Sequence, residues 1–487
     1  MDVLEEAILE QFRTAVGERF VLSSPEERLV YDCDGCVLLK AIPQAIVLPK
    51  TTEEVSAVVK ICHTHNIPFV ARGAGTGLSG GALATEGGII IALNRMDAII
   101  EIDPVSRTAT VEVGVVNAWL NREARPYGLF YAPDPSSQSA CTLGGNIAEN
   151  AGGIHCLKYG VTVDHILGLE LVLPDGDVLW VGSQTRRIDG LNFLGTIVGS
   201  EGTFGIVTRA VVQLLPIPVH IHTMLLAFDD TAAACRCISA IIQRGIIPAA
   251  LEFMDAFTVN AVNQAFSVGF PDSAEAVLLI ELDDKTSLGL ETSLEELLSV
   301  VAPFKPSQTQ HAKTEEERVQ LWKARKGAVA AYGRYLPAFY LHDCVIPRRH
   351  LATVLAQIIA IGQRHDVLIG NVFHAGDGNL HPNILFDPDN QAMMTRVLKA
   401  GEEILDACLT VGGVLSGEHG IGIEKSAYMS RLFTPEDLAR MAGLKRLFDP
   451  KNLANPEKIL PHRSSCGENN TATSISHPLF TQHGAWI

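Results

Sequence analysis

The sequence lacks any excess of positive charge. Its 38 Lys and Arg stand against 55 Asp and Glu, a formal net charge of −17, which repels nucleic acid and anionic lipid. A small anionic substrate therefore needs a local cationic site. No apolar run reaches the ~18 residues of a membrane span, and the N-terminus MDVLEEAILEQF is acidic and amphipathic, where a signal peptide would be basic and then apolar. A cysteine framework is missing too: ten cysteines, at 33, 36, 62, 141, 156, 235, 237, 344, 408 and 466, make one CxxC pair, Cys33 and Cys36. One pair cannot hold a four-cysteine iron–sulfur cluster or a closed zinc site, and reads as two ordinary thiols. The pattern is that of a reduced, intracellular protein without transmembrane segments or internal repeats.

What is present is length and alternation. At 487 residues and 47% hydrophobic content the chain exceeds the ~250 to 300 residues at which one core stops growing, which predicts several domains. A first segment, 1–40, is read as helical. From 41 to 217, short β-branched runs alternate with amphipathic helices, as in AIVLP, TTEEVSAVVKICHTHN and IPFVARG. There Thr51 and Glu54 form a capping-box pair, and Val55, Val58, Val59 and Cys62 share one helix face. Hairpins are expected around DPVSR and PDGD. From 218 to 415, long strands and helices predict an antiparallel sheet with covering helices. Residues 416–462 form a C-terminal segment, and 463–487 read as a disordered tail. The expected fold class is α+β.

Three glycine-rich segments lie in 41–217. VARGAGTGLSGGALATEGGIIIAL has seven glycines between two strands. Gly73, Gly75, Gly77, Gly80 and Gly81, with the Thr76 and Ser79 hydroxyls, can turn backbone N–H groups toward a pyrophosphate. The spacing is not GxGxxG and no clear helix follows, so a dinucleotide fold fits poorly. A merely tight loop is the alternative. APDPSSQSACTLGGNIAENAGGIHCLKYG and VGSEGTFGIVT are two further candidate cradles.

With these motifs the chain resembles the vanillyl-alcohol oxidase and p-cresol methylhydroxylase family of FAD enzymes, in the branch acting on 2-hydroxy acids. The resemblance runs from about Gln44 to Pro461 and includes WKARKGA, DCVIPRRHL, NVFHAGDGNLHP and SGEHGIGIEK. It implies a p-cresol methylhydroxylase-type FAD-binding domain, a cap domain (218–415) carrying substrate and metal residues, and a C-terminal segment returning to the FAD domain. FAD contacts are expected from Arg72, Gly73, Ala74, Gly75, Thr76, Gly77, Ser79 and Gly80 in the first segment. The second is expected to offer Pro133, Asp134, Ser136, Thr142, Gly144, Gly145, Asn146, Asn150, Gly153 and Gly160. Glu201, Gly202, Gly205 and Ile206 come from the third, with Asn455 near the end. Some members attach the flavin through a histidine in the pyrophosphate loop. None lies between Arg72 and Gly81, so FAD is expected to be non-covalent.

His374 and His381 flank the turn AGDGN, and two antiparallel strands can bring both imidazoles to one face. SGEHGIG adds Glu418 and His419. Two histidines and a carboxylate make a metal set with open positions; sheet-edge histidines and a turn-capping glutamate are the bland alternative. The resemblance implies that His374, His381 and Glu418 bind a divalent metal, whether zinc, manganese or iron. It also implies that His419, its side chain expected to diverge from Glu418 along an extended loop, is the base for the substrate hydroxyl. Arg325 matches the family's substrate arginine, although Lys323, Arg325 and Lys326 could also be a solvated helix face. Asn383, two residues after His381 and hence on the same strand face, is expected to donate to the substrate or to hold its hydroxyl. Val329 and Leu341 stand where a dicarboxylate-specific relative has polar donors, which favours a short monocarboxylate.

The expected activity is oxidation of glycolate or D-lactate, with electrons leaving to a partner subunit or quinone. Companion flavin-type and iron–sulfur subunits follow from the resemblance, as does a cytoplasmic location or a peripheral one at the inner face of the membrane. A stand-alone D-2-hydroxy acid dehydrogenase with a soluble acceptor, and a flavin-binding subunit without turnover, are the competing readings.

Overall fold

A computed structural model describes residues 4–185, 190–266, 269–271 and 273–461; the tail expected to be disordered lies outside the described residues. These form two compact units, one from Met1–Gly152, Val161–Ile217 and Glu418–Ile487, the other from Gly153–Gly160 and Pro218–Gly417.

In the first unit, strands Ile46–Val47 and Phe69–Arg72 both pair in parallel with Ile89–Ala92, and Val21–Leu22 adds antiparallel at the edge. Helix Thr52–His65 makes the crossover between the first two. The Thr51 hydroxyl accepts from Glu54 N, but the Glu54 carboxylate accepts from Lys50 N at 2.6 Å. The expected reciprocal box is thus displaced by one residue. Val55, Val58, Val59 and Cys62 are buried, as the periodicity requires, in a core that includes Phe12 from helix Glu6–Val16. Both expected hairpins are present. Ile99–Asp103 pairs with Thr108–Glu112, and Ile166–Val172 with Val178–Gly182, in a five-stranded antiparallel sheet joined through Ile206–Gln213.

The second unit is a nine-stranded sheet in which every pairing is antiparallel. Glu315–Ala331, Leu351–His365 and Gln391–Thr410 are among its helices. Ala276–Asp284 and Ala250–Asp255 lie near its middle, and all six residues of the latter are buried. Gly153–Gly160 packs with this unit rather than with 41–217, where the sequence division placed it. Ile154 joins the second core, Lys158 Nζ donates to Asp283 O at 2.8 Å and Tyr159 Oη to Asp283 Oδ2 at 2.5 Å.

Candidate functional site

In the first unit the glycine loop leaves strand Phe69–Arg72 and makes no helix before Ile89. Arg72 is buried beneath it. Its Nη2 donates to Cys33 O at 2.7 Å, and a Cβ on Gly75, where φ is +69°, would lie 2.3 Å from that nitrogen. Arg72 therefore braces the loop from beneath, and only glycine fits over it. The turn at Gly35 packs behind the same loop, close to Gly77 O and Thr76 O, a contribution of 1–40 that composition does not reveal. Gly73, Ala74, Gly77 and Gly80 follow along it.

The second segment runs from Pro133, whose carbonyl accepts from Asn117 Nδ2 at 2.9 Å, through Asp134 and Ser136 to Thr142. Thr142 caps helix Leu143–Glu149 by accepting from Gly145 N, and Gly144 and Asn146 lie in its first turn. Asn150 ends it in the left-handed region and accepts from Val163 N at 2.8 Å. Gly153 and Gly160 bound the stretch that belongs to the second unit. In the third segment, Glu201 and Gly202 turn through positive φ, Gly205 has φ +141°, and Ile206 is buried at the start of its strand. Asn455 Nδ2 ties two segments together, donating to Gly81 O at 2.9 Å and Glu201 O at 2.6 Å.

The Glu201 carboxylate is held by the C-terminal loop. It accepts from Ile421 N at 2.7 Å and Gly422 N at 2.8 Å, and burial raises its pKa to about 7. Glu149 lies alongside, and burial followed by the Glu201 and Asp34 charges pushes its carboxyl well above the usual range. A Cβ on Gly420 (φ +88°) would come within 2.0 Å of Glu149 Oε2. The loop bearing Glu418 and His419 is thus turned, not extended. Their side chains converge, with His419 Nε2 3.8 Å from Glu418 Oε1, against the expectation of divergence.

Three buried polar atoms on these segments, Ser79 Oγ, Asn146 Nδ2 and Asn455 Oδ1, have no hydrogen bond among the described residues. Buried polar groups are otherwise nearly always paired. One lies on the glycine loop, one in the second segment and one on the clip between segments, and each offers a hydrogen bond to a polar cofactor such as FAD.

In the second unit, Arg325 is buried on helix Glu315–Ala331 and is no solvated face. Its Nε donates to Glu252 Oε2 at 2.7 Å and Nη2 pairs with the same oxygen at 2.5 Å. Val329, one helical turn on, packs at the rim of the second core. Glu252 lies directly across from His374 in the sheet register, and His374 Nδ1 is 2.8 Å from Glu252 Oε1. Burial alone would raise the Glu252 pKa, yet it is lowered, because the Arg325 and His374 charges and hydrogen bonds outweigh that cost.

The His374 and His381 rings are 5.0 Å apart at 82°. His381 Nε2 is 3.2 Å from Asp343 Oδ1, and Asp343 Oδ2 accepts from Ser416 Oγ at 2.7 Å and Gly417 N at 3.0 Å. Glu418 and His419 follow Gly417 in the chain. Asn383 Nδ2 donates to His381 O at 2.8 Å and Gly370 O at 3.4 Å, so both amide hydrogens brace the sheet, while its buried Oδ1 takes no hydrogen bond among the described residues. Leu341 sits opposite it in register. Glu252 and Asp343 were not among the residues singled out from sequence. The signal was there in ALEFMD and YLHDCVIP: an acid inside an apolar strand must find a partner.

Residues 217–459 match the family described as FAD linked oxidases, C-terminal domain, and residues 43–182 match the FAD binding domain. The chain belongs to the FAD-linked oxidase family. The glycolate oxidase subunit GlcD of Escherichia coli strain K12 is 42% identical over 467 residues, 96% of this chain and 93% of that one. A D-lactate dehydrogenase of Anaerostipes hadrus is 30% identical over 461 residues, 93% and 97% of the two chains. The solved structure of p-cresol methylhydroxylase is similar with a TM-score of 0.80 at 18% identity, covering 94% of this chain and 98% of that one; this shows the fold. The protein is an FAD-linked oxidoreductase of α+β class with a p-cresol methylhydroxylase-type fold. The FAD-binding match holds the first two glycine-rich segments, and the C-terminal match holds Arg325, both histidines, Asn383, Glu418, His419 and Asn455. No helix among the described residues is long and apolar enough to cross a membrane.

Proposed function

We propose that this oxidoreductase converts a small 2-hydroxy acid, glycolate or D-lactate, to the 2-oxo acid. Non-covalent FAD and a divalent metal, zinc, manganese or iron, held by His374, His381 and Glu418, complete the active enzyme. The observation that carries this reading is in the second unit: a buried arginine and a histidine share one carboxylate, and a second histidine stands 5.0 Å from the first. A buried guanidinium is suited to a carboxylate, and paired imidazoles beside Asp343 are a donor set for a divalent ion. The names of the two relatives point to the same substrate class.

In this mechanism Arg325 receives the substrate carboxylate on the guanidinium edge turned away from Glu252. Val329 and Leu341 provide no polar group for a second carboxylate, which selects a short monocarboxylate. His419 takes the proton of the substrate hydroxyl, work suited to imidazole near neutral pH. FAD, when bound, supplies the hydride acceptor, and the metal lowers the pKa of the hydroxyl. Asn383 braces its strand through the amide hydrogens, which leaves its Oδ1 to hold the substrate hydroxyl. The E. coli relative is named a subunit, which supports partner subunits here; we propose that electrons leave through them, an iron–sulfur one included, or to a quinone.

The test is anaerobic mixing of the FAD-loaded protein with glycolate, D-lactate, L-lactate and D-2-hydroxyglutarate while flavin absorbance near about 450 nm is followed. Rapid bleaching by glycolate or D-lactate is expected. Bleaching by the dicarboxylate alone, or by none of the four, refutes the proposal.

A further inference from the structure

The Glu252 side chain is wholly inaccessible in the second unit, and the mechanism above gives it no step. Strand Ala250–Asp255 pairs with Ile369–His374 so that Glu252 and His374 are direct cross-strand neighbours. Helix Glu315–Ala331 delivers Arg325 to the same carboxylate. The contacts divide by oxygen. Oε2 takes Arg325 Nε at 2.7 Å and Nη2 at 2.5 Å, while His374 Nδ1 is nearer Oε1, at 2.8 Å, than Oε2, at 3.1 Å.

From this bridging geometry we infer that Glu252 is a positioning residue for two binding functions at once: it aims the Arg325 guanidinium at the substrate carboxylate, and it fixes the His374 tautomer that presents Nε2 to a metal. The inference rests on the proposed roles of Arg325 and His374. Donation of the Nδ1 hydrogen to a carboxylate leaves the Nε2 lone pair as the only one in the ring, and such partners orient and strengthen histidine ligands. Engaging Nε and Nη2 fixes the guanidinium plane, so the opposite edge, with Nη1, is presented in one orientation. Because a single side chain does both, substrate affinity and metal affinity are linked through it, while FAD binding, carried by the other unit, is not.

Glu252→Gln breaks the bridge without emptying the space. An amide has one oxygen for donors on both sides, so its NH2 faces either Arg325 or His374. Facing His374, it forces the hydrogen onto Nε2 and blocks the ligand position. The experiment uses the FAD-loaded protein with Mn²⁺ as the probe and compares wild type, Glu252→Gln, Glu252→Asp and His381→Ala. Mn²⁺ affinity is measured by calorimetry, KM and kcat for glycolate at saturating Mn²⁺, and the His374 Nδ1–H signal by ¹⁵N-histidine NMR.

Expected for Glu252→Gln are a 10- to 100-fold weaker Mn²⁺ affinity, a KM raised about tenfold with a smaller change in kcat, loss of the Nδ1–H signal and an unchanged FAD content. Glu252→Asp keeps the charge but withdraws it by one methylene; it should show smaller losses in the same quantities, and it keeps the test decisive if the glutamine variant does not fold. Wild-type Mn²⁺ affinity and KM in either folded variant, beside lost binding in His381→Ala, overturns the role of Glu252 and leaves the metal centre standing. Mn²⁺ binding absent from the wild type, or undiminished in His381→Ala, overturns the metal centre and the Glu252 inference with it.

Discussion

His419 and Glu418 are neighbours in sequence with opposed assignments, and the turn at Gly420 makes their side chains converge to 3.8 Å. If His419 is the base, His419→Asn should slow flavin reduction by the ~10² to 10⁴ of lost general-base catalysis, with little change in substrate affinity. Glu418→Gln should instead weaken metal retention, since it removes a ligand's charge. Single-turnover reduction with metal content quantified separates the two: a His419 variant that loses its metal beside a Glu418 variant that keeps it reverses the roles. Residues of this kind were legible because histidine, arginine and glycine-flanked acids are conspicuous in a motif. For Glu252 and Asp343 an acid within an apolar run signals a buried partner without naming it, and only the register sets His374 opposite Glu252. The hydrogen bonds that Glu201, Arg72 and Asn383 make within the chain are hidden in the sequence for a related cause. Which of its neighbours a polar group bonds depends on tertiary distance, and a sequence shows only the supply of donors and acceptors.

Elements with strong local signals were easy to anticipate. The cap at Thr51, the helix Leu351–His365 and both hairpins of the first unit follow from periodicity and turn chemistry. The four-residue helix Cys156–Tyr159 is different, since its place is decided by Asp283, more than a hundred residues away. The glycine loop carries a prediction of its own. Gly75 needs positive φ and room for Arg72 Nη2, so Gly75→Val should displace the loop and lower FAD retention at least tenfold, measured as flavin per protein after gel filtration; full occupancy in a folded variant would show that the loop does not contact the cofactor. Because Arg72 to Gly81 contains no histidine, denaturation in acid should release the yellow chromophore into the supernatant. A yellow pellet contradicts the non-covalent assignment.

At the scale of the whole molecule, the division into two units separates functions that a single variant can test. Chelation, or His381→Ala, should abolish acid oxidation while leaving FAD bound, and loss of both together would show that His381 is structural. Glu281 of the second unit and two carboxyls of the first respond to acid in opposite senses. In the second unit Glu281 is drawn down to about 2: burial would raise it, but His155, the Arg318 charge, Thr223 and Trp322 outweigh that effect. Its contribution, about 3 kcal/mol at 1.4 kcal/mol per pH unit, is present above the unfolded value of 4.5 and is lost as pH falls toward 2. In the first unit, burial raises Asp34 to about 6 and Glu201 to about 7. A carboxyl with a raised native pKa holds its proton after the unfolded chain has released its own. These two therefore favour the native state at acid pH, and their contribution declines as pH rises from about 4 to about 7. Scanning calorimetry of the FAD-free protein from pH 3 to pH 8 should show both slopes. Glu281→Gln should lessen the loss of stability below pH 4.5 and leave the decline toward neutrality unchanged, and Glu201→Gln should lessen that decline, with Asp34 still contributing to it, and spare the acid limb. If Glu281→Gln loses stability on acidification as steeply as the wild type, the acid sensitivity of the second unit has another source.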